Sequence, residues 1–139
     1  LTGRAHETLR LRAALAPGVL ILADAGVKHG RPIAPLPLEE EVRDLCERGL
    51  ADAVLVTGNR TGEPPRTEDL RAARAAAGSV PVLAASGVTP ENASAWIPYC
   101  SGFIAGTWLK RDGKVGNPVD RERVRALVAA VRGGHAPRS

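Results

Sequence analysis

Four short aliphatic runs, Val19-Leu20-Ile21-Leu22, Ala53-Val54-Leu55-Val56, Val80-Pro81-Val82-Leu83 and Gly102-Phe103-Ile104-Ala105, recur along the chain. None alternates with polar residues as a half-exposed strand does, so each suits a strand covered on both faces, and strands of that kind pair in parallel. Helical patterns separate them. With right-handed crossovers, a leading helix followed by four strand-plus-helix units gives a parallel sheet covered by helices. Two architectures satisfy this reading: an open doubly wound sheet, and half of a (β/α)8 barrel, whose full length is typically about 250 residues.

The helices carry their own punctuation. Leu38, Val42, Leu45 and Cys46 fall at i, i+4, i+7 and i+8, Glu39-Glu40-Glu41 occupies the first turn, and Gly49 supplies a stop. Thr67 is expected to cap a helix reaching about Ala77, with Gly78 ending it. Thr89 before Pro90 reads as an N-cap followed by proline at the first helical position, and Pro98 terminates that element. Asp120 is expected to cap the last helix, with Val119 and Val124 as a hydrophobic staple and Val124, Leu127, Val128 and Val131 as its buried stripe. The opening segment from about Ala5 to Leu15 is expected to be helical, ended by Pro17-Gly18. One domain over residues 1–134 with a polar tail at 135–139 is the expected organisation.

Composition narrows the function. The chain has 139 residues, 44% hydrophobic and 24% charged, which suits one compact globular domain. Its net charge of +4 would permit contact with polyanions, but the arginines alternate with Glu and Asp along helices. With two tryptophans, one tyrosine and one phenylalanine there is no aromatic surface for stacking bases, so no nucleic-acid partner is expected. No apolar run is long enough for membrane insertion and no secretory signal opens the chain, so a cytoplasmic location is expected. Cys46 and Cys100 are read as reduced packing thiols, and no ligand set for a metal is visible. Methionine is absent even at position 1, so Leu1 reads as an alternative start or as part of something longer.

In either architecture a ligand site lies at the carboxyl ends of the strands. Strand alternation puts Asp24 and Lys28 on the face that would look into a barrel. Lys28 suits a phosphate anchor, an electrophile or a base, and His29 is the candidate for proton transfer. Thr57, Gly58 and Asn59 offer a polar rim without matching a phosphate-loop motif. Ser86-Gly87 ends one strand and Thr89-Pro90 starts a helix, so unpartnered amides and the helix dipole are expected there, facing an anion. The next strand ends in Gly106-Thr107, and in a barrel the loops after the last two strands jointly make a frequent phosphate site. Lys110 and Asp112 complete the rim. Ser86 lacks the GxSxG setting of a serine nucleophile, so hydrolysis of that kind is not expected.

Taken together, GRAHETLRLRAAL, ILADAGVKHG, PLEEEVRDLCERGLADAVLVTG, VPVLAASGVTPEN and GFIAGTWLKRDGKVGNPVDRERVRALV resemble the C-terminal half of the BtpA/SgcQ family, over about Gly3 to Val131. The resemblance implies a (β/α)8 TIM-barrel type fold grouped with ribulose-phosphate-binding barrels, with strands five to eight present and the first four absent. Lys28 and His29 match the family's KH, Ser86 and Gly87 its SG, Gly106 and Thr107 its GT, and Lys110 with Asp112 its KxDG. The chain departs from the pattern at Ala25-Gly26, ahead of Val-Lys-His. The resulting expectation is an enzyme-like barrel that binds a small phosphorylated metabolite, with Ser86, Gly87, Gly106 and Thr107 gripping phosphate. Lys28 is then the polarising group, His29 the proton shuttle and Asp24 the group positioning Lys28, with no cofactor. A non-catalytic assembly factor for photosystem I, as cyanobacterial members suggest, is the alternative, and an inactive incomplete barrel is a third. A sheet with open edges and a bare apolar face predicts a homo-oligomer or a missing N-terminal half.

Overall fold

A computed structural model describes residues 4–26, 34, 36–58 and 63–134. The order is α1 (Ala5–Leu15), β1 (Leu22–Ala25), α2 (Leu38–Glu47), β2 (Ala53–Thr57), α3 (Thr67–Ala76), β3 (Val82–Ala85), α4 (Pro90–Trp96), β4 (Gly102–Ile104), two short 3-10 turns and α5 (Arg121–Gly134). The four strands form one parallel sheet in the spatial order β1-β2-β3-β4.

That order separates the two architectures. Each crossover steps to the next strand in the same direction, and a right-handed connection repeated in one direction puts every crossover helix on the same face. A doubly wound sheet reverses its order to cover both faces. Here Val54, Val82 and Ala84 are fully buried and Val56 is 2% exposed, all pointing toward the helices. Their neighbours on the other face are uncovered: Leu55 and Leu83 are half-buried, Leu22 is 44% exposed and Ile104 43%. The sheet is therefore a barrel-type arc with a single covered side.

On the covered side Leu70 and Ala73 of α3, Val42 of α2 and Ala93 and Trp96 of α4 join the strand valines in one core. Trp96 anchors the α3–α4 contact, because its indole N–H donates to the Thr67 hydroxyl at 3.2 Å. This corrects the expectation for Thr67. The N-cap of α3 is Arg66, in extended conformation, and Thr67 is already helical, its hydroxyl committed to Trp96.

Other boundaries shift for local reasons. Strand β1 begins at Leu22 rather than Val19, leaving Val19 58% and Leu20 66% exposed. The ladder starts at Ile21, whose carbonyl accepts from the Asp52 N–H (2.8 Å) while its own N–H donates to the Asp52 carboxylate (2.7 Å). Arg12 of α1 pairs with that carboxylate at 3.1 Å, tying the leading helix to the sheet. Strand β3 begins at Val82, because Pro81 has no N–H and contributes only its carbonyl, which accepts from Val54 N–H. After α2 the left-handed residue is Leu50 (φ 47°); Gly49 is needed for space, since a Cβ there would meet the Leu45 carbonyl. Asp120 caps α5 through Glu122 and Arg123 N–H, but Val119 is 56% and Val128 41% exposed, so the outer half of the expected staple and one of the four stripe residues face outward, while Val124, Leu127 and Val131 are buried or half-buried.

Replacing fully buried Leu70 by alanine is expected to cost about 2–5 kcal/mol, measured by urea denaturation. Thr67→Val, which strands the Trp96 N–H, is expected to cost about 1–3 kcal/mol. An unchanged midpoint for both would place the core elsewhere.

Candidate functional site

Parallel strands deliver all their carboxyl ends to one end of the sheet. The register sets Thr57 beside Ala85 and Ala85 beside Ile104, so the residues that follow, Gly58, Ser86-Gly87 and Gly106-Thr107, share one rim. Asp24 stands one rung further in, level with Leu55 and Leu83 on the bare face. Its exposed carboxylate makes no hydrogen bond or ion pair with any described residue. Asp24 takes the inner face; Lys28, expected to share it, lies outside the described residues, as do His29 and Asn59.

At the end of β3, Ser86 (φ 72°) and Gly87 (φ 59°) are both left-handed. Glycine adopts this freely, whereas an L-residue such as Ser86 is held there at a cost of about 1–2 kcal/mol. The clamp is Asn92. Its side-chain amide donates to the Gly87 carbonyl (2.8 Å), its side-chain oxygen accepts from the Thr89 N–H (2.8 Å), and its own N–H donates to the Thr89 hydroxyl (3.5 Å).

This reciprocal cap corrects the expectation of unpartnered amides at the start of α4. Pro90 has no N–H, the Asn92 N–H is taken by the Thr89 hydroxyl and the Thr89 N–H by the Asn92 side chain. The nearby Thr89 hydroxyl and its own backbone N–H hold the Glu91 carboxyl below the usual carboxylate range. Helix α4 thus spends its first-turn donors internally, and any anion at this rim must be held by the strand-end turns instead.

The glycines differ in kind. Gly106 has open space where a Cβ would stand, and its φ of −132° suits other residues too. Gly58 is buried, and a Cβ there would collide with the carbonyls of Glu63 and Pro64, so its bare backbone serves the return of its own chain rather than a ligand.

Lys110 and Asp112 do not lie on the strand ends. Lys110 forms an antiparallel bridge with Val119, and Asp112 (φ 56°) is exposed at the tip of the resulting hairpin. Arg123 stacks 4.5 Å from the Trp108 ring and donates to the Trp108 carbonyl, locking the hairpin base against α5.

Sequence reasoning missed Asn92 and Glu41. The Glu41 carboxylate accepts from the Gly26 N–H at 2.9 Å, holding the carboxyl end of β1 from the first turn of α2. Asn three residues after Thr89 was the available signal for the first; nothing local marks the second.

Burial pushes the Cys100 thiol above its ordinary pKa, with a weaker opposing effect from hydrogen bonds, and burial with nearby Glu47 does the same to Cys46. Neither is a thiolate at neutral pH. Among the described residues no three His, Cys, Asp or Glu side chains gather as a metal site.

Asn92→Ala is expected to cost about 1–2 kcal/mol by thermal denaturation, since it removes a cap and frees the Gly87 turn. Asn92→Ser, which can still cap but cannot reach Gly87 in the same way, should fall between. Equal stability of all three would remove Asn92 from its clamping role.

Comparison with known proteins follows the same lines. A family model described as the BtpA family matches residues 1–133. An uncharacterized protein of Pyrococcus furiosus is 44% identical over 128 residues, which are 92% of this chain and 48% of that protein. The photosystem I biogenesis protein BtpA of Synechocystis sp. is 42% identical over 134 residues, 96% of this chain and 47% of the relative. The chain thus spans about half the length of the curated relatives it matches. Among solved structures, one described as native KDPGal superposes with a TM-score of 0.63 at 24% identity, covering 89% of this chain and 53% of that one, a likeness of fold.

Proposed function

The chain belongs to the BtpA family, and from that premise we propose that it is the C-terminal half of a (β/α)8 barrel that binds a small phosphorylated metabolite at its strand ends. The observation that carries this reading is the adjacency of two glycine-and-hydroxyl strand ends, Ser86-Gly87 after β3 and Gly106-Thr107 after β4, on paired strands. Neighbouring parallel strands lie about 4.8 Å apart, so both ends fall within reach of a single phosphoryl group. Backbone N–H groups exposed in such turns form a concave cradle for oxygen anions. Gly106 leaves the room a ligand needs, and the exposed Thr107 hydroxyl is free to turn toward it.

In this reading Thr57 lines the rim and Asp24 stands at its floor. Lys28, with Asp24 holding it, polarises the reacting group, and His29 moves the proton; sequence assigns both roles. Asn59 is assigned to the rim beside Thr57 from sequence alone, and Gly58, Lys110 and Asp112 take no part in this reading. The reaction class is an acid–base step on a phosphate ester's carbon skeleton, with no cofactor.

A second reading comes from the name of the Synechocystis relative, which makes the barrel a non-catalytic factor in photosystem I biogenesis. No helix among the described residues is long and apolar enough to cross a membrane, so such a factor would meet its complex from outside the bilayer.

Thermal shift with phosphate esters decides between them. A ligand at 100 times its dissociation constant is expected to stabilise the protein by about 2.7 kcal/mol. Gly106→Asp, which sets a carboxylate in open space at the cradle, is expected to abolish the shift while leaving the fold intact. No response of the protein to any phosphate ester would favour the second reading.

A further inference from the structure

The cap of α4 contains one bond more than capping needs. A capping box asks only for an acceptor three residues after the N-cap, and a carboxylate serves as well as an amide. Asn92 meets that need with its side-chain oxygen, which accepts from the Thr89 N–H at 2.8 Å. Its side-chain N–H group then reaches out of the helix to the Gly87 carbonyl, also at 2.8 Å. This second bond fixes a peptide unit of the turn that ends β3.

That unit joins Gly87 to Val88. No described peptide bond is cis, so the carbonyl and the N–H of this unit point in opposite directions. With the carbonyl held toward Asn92, the Val88 N–H is turned away from it. Val88 is 2% exposed, and its N–H donates to no described residue. A donor short of both water and a protein acceptor is one that an anionic oxygen satisfies with a strong bond. Gly87, left-handed at φ 59°, has no side chain to resist rotation of this unit. Turned over, the unit would present its carbonyl, which repels the same oxygens that the N–H attracts.

We infer that Asn92 is a positioning residue, locking the Gly87–Val88 peptide with its N–H toward the strand-end rim and so giving that rim its polarity for anions. The Val88 N–H then joins the Gly106-Thr107 end in holding one phosphoryl group. The identity of the ligand rests on the phosphate reading above, whereas the lock on the peptide does not.

Titration calorimetry with inorganic phosphate tests the role, with circular dichroism checking that each variant is folded. Asn92→Asp keeps the capping acceptor and adds a charge, whereas Asn92→Ala removes the cap and adds none. The loss they share is the bond to Gly87, and each is expected to weaken phosphate by about tenfold or more. Thr89→Ala removes a hydroxyl from the same cap but spares that bond, so it is expected to lower the melting temperature and leave phosphate affinity unchanged. Affinity that falls with stability across all three variants, or that Asn92→Asp leaves intact, overturns the positioning role. If the unaltered chain binds no phosphate, the phosphate reading falls and a crystal structure of the Asn92→Asp variant judges the lock. A Gly87 carbonyl turned toward the rim upholds it, and one still facing α4 overturns it.

Discussion

The handedness of the β-α-β crossover governs this molecule. Three connections, each stepping one strand in the same direction and right-handed as such crossovers are, leave the sheet with helices on one side and no described element on the other. The sequence nevertheless places Leu55 and Leu83 on the unclothed side, level with Asp24. The same connections put every carboxyl strand end on one rim, so the apolar demand and the polar opportunity share one cause. The inner face is left apolar and open, and the rim gathers whatever polar groups follow each run.

Much of this was legible in residues because it depends on local chemistry. The runs around Val54, Val82 and Phe103 are aliphatic on both faces, and such segments become strands wherever they can be covered. Helix α1 runs over the residues its pattern marked, Ala5 to Leu15, and Thr89-Pro90 opens α4 as a capped helix. The errors cluster where a partner distant in sequence decides. Val19 and Leu20 are as aliphatic as their neighbours, yet the ladder starts only at Ile21, where Asp52 supplies both bonds. Thr67 had the chemistry of a cap, and Trp96, 29 residues on, claimed its hydroxyl.

The candidate site divides in the same way. Positions set by strand parity were readable: Asp24 on the inner face, and Ser86-Gly87 and Gly106-Thr107 past neighbouring strands. Choices between a side-chain donor and a ligand were not. The start of α4 had every mark of an anion site, but Thr89 and Asn92 cap it reciprocally from within the turn. Gly58 and Gly106 look alike in sequence, and only the return path of Glu63-Pro64 fills one while leaving the other open. A glycine's significance lies in which atoms occupy the space its side chain would take, and those atoms come from elsewhere in the chain.

Asp24 shows what closure of the inner face requires. While that face is open the carboxylate is hydrated and stands beside Leu55 and Leu83 at little cost. Once a second layer covers it, water leaves, and an unpaired carboxylate among aliphatic side chains costs several kcal/mol. Aliphatic burial around the rung favours closing and the charge opposes it, so the closed state gains most when a donor meets Asp24. No described residue of its own chain does so. The donor must come from outside the described residues or from a ligand, and a ligand that supplies it is bound more tightly by the closed form than by the open one. Any group that satisfies Asp24 would therefore also favour covering the aliphatic face beside it.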